Sequence, residues 1–518
     1  MDRRDFLRTT AQGLVIASIP SQTLTAAMAS TIPDPAAESK EIPSSELFRF
    51  IYPQRPLGIS WPVSTDDVTA LYGSWVGGLQ ATVQYQDPDA KPAGAYWLAW
   101  NGAGAASWNI SAPEAGDYEL NLCYASSIPG VAFTVSVGDN HLRTQSVETK
   151  GYWPDDPSAP MNFERIALPG RLRLAKGENI LRLDIAEFRG CIRVRSLELV
   201  HVSAKAALRA DADRARDSRA NTDWFVKAGY GLFSHWTSQV PPLRGGKPKP
   251  YEQAVNEFDV DLYANMVAET GSQYVIFTAN HAEPTFPGPL KTWEHYHPGW
   301  TTQRDLISEL ADALNKRGVH FVMYLASEIC GGVRASRGVR RLKSTPEYQK
   351  TLEDILMEIG TRYGKKVPAY WFDHASWSKE NFPHLSFGHL WTAVKSGNPD
   401  RLVAYNFWQF PIMTQWQDYY ANEGAVSKPP ASRYMEVGPA KGLQYHVAVP
   451  IDGAYIYLKP DSDLPGPIYK DDQLVDFVKG CIAKQGVVTL GTAITQDLHM
   501  NDAILKQFQA VRKAIRGS

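Results

Sequence analysis

Cysteine is scarce in this chain, with 4 in 518 residues. Cys123, Cys191, Cys330 and Cys481 lack the spacing of a zinc site, so neither a structural zinc nor a disulfide framework is expected. Cys123 and Cys191 fall in one β-rich stretch, where a bond in an oxidising compartment and two separate buried thiols are both open. An excess of one charge is lacking too: 53 Lys and Arg against 55 Asp and Glu leave a formal −2. No basic block stands out, which argues against a nucleic-acid partner. No stretch approaches the ~18–20 apolar residues of a bilayer span, so no membrane span is expected. Aromatic residues, in contrast, are plentiful, with 15 Trp and 24 Tyr. Flat rings suit the C–H faces of sugars and also ordinary cores. The length implies two folded units.

Residues 1–29 read as an export signal. Asp2-Arg3-Arg4-Asp5-Phe6-Leu7-Arg8 is a twin-arginine pattern, a modestly apolar stretch follows at 13–19, and Ala27-Met28-Ala29 has the form of a cleavage site. The expected location is periplasmic or secreted. Residues 30–47 are rich in Pro, Ser and Glu without periodicity and read as a linker. From 48 to 202 the pattern is all-β. Alternating runs such as 117–122, 131–137, 180–185 and 192–200 are punctuated by turns at 115–117, 138–140 and 176–179. Many short half-buried strands predict a sandwich. Residues 203–222, rich in Ala, Arg and Asp, read as a connecting helix.

From 223 to 518 strands alternate with helices. Strands are expected at 229–235, 273–281, 320–327, 367–376, 401–407, 418–422, 444–450 and 486–491. Helices are expected at 260–270, 304–317, 345–363, 386–395, 471–484 and 501–515. The fold class is therefore α/β: a (β/α)8-type barrel preceded by an all-β jelly-roll sandwich. The fifth and sixth strands are its weak points, because no clear long helix follows either.

The organising stretch is V-P-A-Y-W-F-D-H-A-S at 367–376, apolar residues running into one carboxylate, Asp373. A parallel strand covered on both faces reads this way, and a barrel mounts catalytic groups at that end of its strands. The plainer reading is an Asp that caps the next turn. The other strand ends bring His235 and Trp236, Asn280, His281 and Glu283, Tyr324 and Glu328, His374, Asn406 and Trp408, Glu423, and Asp452 and Tyr455. Carboxylates, imidazoles and rings around one mouth fit an oligosaccharide or glycan substrate. Two carboxylates roughly 5–5.5 Å apart suffice for glycoside hydrolysis with retention, against about 6.5–9.5 Å for inversion. Asp373 is expected to attack. Glu423, Glu436, Asp418, Glu283 and Glu328 compete for the acid/base role. His295-Tyr296-His297, with His281 upstream, raises a metal reading, but loop histidines among aromatics are ordinarily structural. No metal is expected, and no cofactor is called for, because both steps are proton transfer and displacement at carbon.

Several of these segments resemble the α-L-fucosidases of glycoside hydrolase family 29, from about residue 223 to the end. W-F-V-K-A-G-Y-G-L-F-S-H-W at 224–236 is similar to the family's W-x-x-A-K-F-G-I-F-I-H-W-G, whose His contacts the sugar. Residues 274–281 resemble its Y-V-V-L-T-A-K-H-H-D-G-F strand, and Gln303-Arg304-Asp305-Leu306-Ile307 its K-R-D-L-V. Tyr370-Trp371-Phe372-Asp373 resembles L-W-F-D-G, which carries the family's nucleophile. Tyr420-Ala421-Asn422-Glu423-Gly424 resembles the G-N-E segment that carries the acid/base in one branch, so the resemblance implies Glu423. Another branch carries a Glu where this chain has His446, and Glu436 remains the alternative. The resemblance implies a retaining exo-α-L-fucosidase in which His235, Trp236, Asn280, His281, Tyr324, Trp408 and Tyr455 hold the sugar.

The chain departs from the family at the exit of its second strand, rebuilt around Pro284 and Pro287, and at His374, where the family has Gly. In place of the family's usual C-terminal β domain, a β domain is expected before the barrel. Hydrolysis of a related sugar such as an α-L-galactoside, and glycan binding on a decayed barrel, are the rival readings. The β region itself resembles jelly-roll carbohydrate-binding modules in its runs A-G-D-Y-E-L-N-L and L-A-K-G-E-N-I-L-R-L-D-I. Its Trp97, Trp100, Trp108, Tyr152 and Trp153 are candidate sugar platforms that equally suit a core.

Overall fold

A strand that alternates apolar and polar residues buries one face only, and two sheets of such strands cover each other. The computed structural model describes residues 60–80, 82–86, 97–149, 162–281, 283–326, 345–382, 384–408 and 410–517. The export signal, the linker, residues 48–59, Tyr152, Trp153, Glu328 and Cys330 lie outside the described residues. In one sheet Gly177–Ile185 runs antiparallel between Gly104–Ala112 and Ala132–Val137. In the other, Gly116–Ser126 and Ile192–His201 pair antiparallel at the centre, with Trp97–Trp100 on the far side of Ile192–His201. Leu120, Leu122, Leu181, Leu183, Leu197 and Leu199 meet between the sheets, fully or almost fully buried. Each such side chain contributes roughly 1.5–3 kcal/mol by leaving water.

Trp100 and Trp108 belong to this core, their indole N–H groups donating to Gly104 O at 3.0 Å and Tyr72 O at 2.9 Å. Trp97 is also buried, on the outer face of its sheet. None of the three is a sugar platform, because no ring face is left to solvent. No disulfide joins Cys123 and Cys191. The register sets Cys123 opposite Ser196, while Cys191 lies just before that strand beside Ser127 and does not face it.

Helix Lys205–Asp217 leads to the second unit. Its strands are β1 (Tyr230–Ser234), β2 (Tyr274–Thr278), β3 (His320–Ala326), β4 (Ala369–Asp373), β5 (Leu402–Tyr405), β6 (His446–Pro450) and β7 (Val487–Gly491). They form one parallel sheet in the order β5-β4-β3-β2-β1-β7-β6. The expected sixth strand at 418–422 is not a strand. Residues 418–424 close the gap through isolated pairings of Tyr419 with Gln444 and Glu423 with Ala448. Towards β5 the Asp418 N–H donates to Val403 O at 2.7 Å, and side chains supply other links: Val403 N–H donates to Asp418 Oδ2 at 2.8 Å and Tyr405 N–H to Gln417 Oε1 at 3.2 Å.

Side chains of one parity point into the barrel, among them Phe233, Ile276, Tyr324, Trp371 and Ala404. Gly231 is on that face because a Cβ there would stand 2.4 Å from the Tyr274 ring. The other parity packs on the helices, of which Val260–Glu269, Leu306–Asn315 and Phe387–Val394 start at Asp259, Asp305 and Ser386, each side chain accepting a backbone N–H of the first turn.

The sandwich docks beside the barrel mouth. Trp97, Ala99, Cys123 and Ala125 on its outer face pack with Phe163, Phe410 and Trp408. Arg195 pairs with Glu380 of helix Ala375–Asn381 and lies between the rings of Tyr72 and Phe410, at 4.9 and 4.4 Å.

Candidate active site

The end of β4, the residue after β5 and the closing segment deliver three side chains to one point. Asp373 is the last residue of β4 and is 9% exposed. Asn406 follows β5, and Glu423 stands beside β6 through its pairing with Ala448. The Asn406 Nδ2 is 2.5 Å from Asp373 Oδ1 and 2.5 Å from Glu423 Oε1. One amide NH₂ has two hydrogens, one for each carboxylate. Its orientation is fixed from the other side, where Trp408 N–H donates to Asn406 Oδ1 at 2.8 Å. The Tyr324 hydroxyl donates to Asp373 Oδ2 at 2.6 Å, and His374 Nε2 lies 3.1 Å from that same oxygen.

Two carboxylates this close and this enclosed do not both ionise readily. Burial pushes Glu423 up to about 7, and the charge of Asp373 adds to the shift, while the Asn406 hydrogen bond works against it. Asp373 thus accepts Asn406 and Tyr324 with His374 beside it, and the Glu423 carboxyl keeps a proton up to near neutral pH. Such a pair can supply a nucleophile and a general acid.

His235 and His281 sit beside this pair. The His235 ring is 4.5 Å from that of His281 and 4.8 Å from that of Tyr324, and its Nδ1 is 2.9 Å from Thr278 Oγ1. Burial first, then the neighbouring imidazoles, hold its pKa well below the ordinary range, so His235 is neutral. The His281 ring in turn lies 6.0 Å from that of His374. Tyr455 packs its ring 4.9 Å from Phe233, in a space that a Cβ on Gly491 would fill, and its carbonyl accepts His235 N–H at 2.9 Å. These residues, with Tyr324, share one mouth.

Other expected site residues lie elsewhere. Trp236 points outward between strands and helices, where it meets Phe258 and Phe277 and donates to Gln496 O at 3.1 Å. Adjacent residues of a strand face opposite ways, so His235 inside puts Trp236 outside. Asn280 is 1% exposed, and its amide is engaged at both ends by the Ala326 backbone, which ties the exits of β2 and β3 together. Trp408 stacks on Trp97 of the sandwich, ring centroids 6.4 Å apart, with φ 57°. Its backbone serves the site through Asn406, and its ring serves the domain contact.

Glu436 is exposed on a turn between residues 435 and 443 that hangs from the amino end of β6, opposite the mouth. Asp418 is buried at the amino end of β5, where it accepts Ala220 N–H and pairs with Lys395 at 2.9 Å. Asp452 is taken up by Thr492, Ala493 and Ala454, and burial pushes it up to about 6. Glu283 accepts the Ser238 hydroxyl at 2.5 Å. His446 lies inside the barrel, 2.7 Å from Thr489 Oγ1, and burial pushes it down to about 3. His297 is buried at the end of helix Lys291–Tyr296, its ring 6.1 Å from that of Trp293. Among the described residues, no group of three or more His, Cys, Asp or Glu is arranged to hold a metal ion.

Thr278 was not singled out by the sequence, although it has the inward parity of β2. The strand-end pattern sets Asn406 and His374 at the mouth and gives neither a role.

A family model described as Alpha-L-fucosidase matches residues 247–511, just over half of the chain. The tissue alpha-L-fucosidase of Bos taurus is 27% identical over 139 residues, covering 21% of this chain and 30% of that protein. The putative alpha-L-fucosidase of Caenorhabditis elegans is 29% identical over 141 residues, covering 21% and 29%. The chain thus spans under a third of the length of these curated relatives. Among solved structures, alpha-L-fucosidase isoenzyme 1 from Paenibacillus thiaminolyticus is similar at 17% identity and a TM-score of 0.44, over 58% of this chain and 76% of that one. An alpha-L-fucosidase from Bacteroides thetaiotaomicron is similar at 16% identity and a TM-score of 0.41, over 57% and 73%.

Proposed function

This chain belongs to the alpha-L-fucosidase family, and from that premise we propose that it is an exported hydrolase that releases terminal α-L-fucose with retention through Asp373 and Glu423. The observation that supports this most is the single Asn406 nitrogen 2.5 Å from an oxygen of each carboxylate. Those two oxygens are separated by no more than twice that distance, which suits the ~5–5.5 Å of retaining pairs and not the ~6.5–9.5 Å of inverting ones.

In the first step Asp373 attacks the anomeric carbon while protonated Glu423 gives its proton to the departing oxygen. In the second, Glu423 takes a proton from water, which attacks the same carbon and frees Asp373. Neutral His235 offers a donor or an acceptor to a hydroxyl without bringing charge into the pocket. His281, Tyr324 and Tyr455 complete the wall on that side. The twin-arginine pattern at Asp2 to Arg8 supports export, and Arg3→Lys with Arg4→Lys is expected to leave the protein in the cytoplasm by cell fractionation.

The test is release of p-nitrophenol from the aryl α-L-fucoside, with proton NMR of the first-formed anomer. The α anomer is expected first, and Asp373→Ala is expected to be inactive. Glu423→Ala is expected to lose about 10²–10⁴-fold on substrates with poor leaving groups. A first-formed β anomer, or turnover by Asp373→Ala, removes the assignment. Preference for the aryl α-L-galactoside would redirect the sugar and keep the mechanism, whereas glycan binding without turnover of any aryl glycoside would favour the non-catalytic reading.

A further inference from the structure

The residue after Asp373 has a left-handed backbone. His374 has φ 58°, a region that glycine occupies freely and other residues uncommonly. It stands at the cap position of helix Ala375–Asn381, yet its side chain makes no capping hydrogen bond. The imidazole lies back over the end of β4 instead, with Nε2 3.1 Å from Asp373 Oδ2. That oxygen also accepts the Tyr324 hydroxyl, while Oδ1 accepts Asn406. The side chain is 31% exposed and faces the mouth beside His281. An uncommon backbone held in place at a reacting group is a place to look for function.

We propose that His374 is a positioning residue that donates to Asp373 and speeds the second half of the reaction, a role that rests on Asp373 being the nucleophile. In the first half the carboxylate gives up a lone pair to form the glycosyl ester. A donor on that carboxylate holds density back and does not help. In the second half the bond between Asp373 and the anomeric carbon breaks, and its electron pair returns to the carboxylate. Water adds to the carbon and yields its proton to Glu423. Negative charge reappears on Asp373 during this step, so a donor fixed on Oδ2 strengthens as the transition state is reached. Tyr324 makes the same contact from β3, so His374 is a second donor on that oxygen.

The experiment compares wild type, His374→Gly, His374→Gln and Asp373→Ala on p-nitrophenyl α-L-fucoside. Glycine relaxes the backbone at this φ, and glutamine restores an N–H donor at a similar reach. His374→Gly is expected to lose about tenfold or more in kcat, with KM falling alongside and kcat/KM changing by less than about threefold. It is expected to show a burst of p-nitrophenol and a mass gain of one fucosyl unit on the intact protein. His374→Gln is expected to recover most of the rate and to suppress the burst. Unchanged kcat in His374→Gly, or kcat and kcat/KM falling together without a burst, overturns the proposal while an inactive Asp373→Ala leaves the assigned function standing. Turnover by Asp373→Ala removes both.

Discussion

With Glu423 raised to about 7 by burial and by Asp373, the proton that the proposed first step requires is lost as pH rises. The kcat/KM for a poor leaving group is expected to fall through about pH 7, and Glu423→Ala is expected to abolish that limb. Asn406→Ala removes the donor that favours the ionised form of Glu423. Its alkaline limb is expected to move up, with a loss of about 10–10³-fold in rate because both carboxylates lose a partner. The same shift has a consequence for stability. The unfolded chain releases this proton near 4.5, the folded one near about 7, so the native state binds more protons between those values and stability declines as pH rises across them. The melting temperature of Glu423→Gln is therefore expected to gain on wild type between about pH 5 and pH 8, a difference that differential scanning calorimetry reads.

The element that departs most from its sequence pattern is the segment 418–424, and it carries Glu423. Tyr419 and Ala421 are buried as a strand's inward residues would be, so the stretch reads as one. Its pairing towards β5 runs largely through Asp418 and Gln417, and no periodicity announces side chains doing the work of a backbone ladder. Asp418 is buried against Lys395, and breaking such a pair from one side costs about 3–5 kcal/mol. Asp418→Ala is expected to show that loss in urea unfolding, whereas Asp418→Asn, which keeps an acceptor for Val403 N–H, is expected to lose less.

Most of the other barrel strands are legible as short apolar runs followed by a helix, several of them capped as at Asp259, Ser386 and Asn501, although no helix follows β5. The site was legible where inward parity met a polar residue, as at His235, Tyr324 and Asp373. It is not legible where two neighbours in sequence are both polar or aromatic, as at His235 and Trp236. Gly231, Phe233 and His235 share one parity, and that alternation already turns Trp236 away from the mouth. Asn280 has the inward parity, but the Ala326 backbone claims its amide, and no local pattern reveals such a partner 46 positions away.

At the scale of the whole molecule, the sandwich reaches the Asp373–Glu423 pair through two residues. Trp97 stacks on Trp408, Trp408 N–H fixes Asn406, and Asn406 holds both Asp373 and Glu423. The neighbouring Arg195 holds Glu380 on the helix that follows Asp373. Nothing in the sequence around Trp97 or Trp408 links them, since the contact spans the two units. Trp97→Ala is expected to destabilise the fold by about 3–5 kcal/mol. It is also expected to lower kcat at temperatures where circular dichroism shows the protein still folded, which loss of a remote sugar platform would not do.

The indole pair at 97 and 408 also decides how far this protein is modular. A fragment beginning at residue 203 would retain each acid and imidazole named above, yet would expose half of an aromatic stack and leave Glu380 without its arginine. Grafting the barrel onto a foreign appendage would meet the same obstacle, because the graft inherits the amide that aligns the two acids but not the surface that steadies it. The appended sheet is thus a buttress for the paired acids on the other unit.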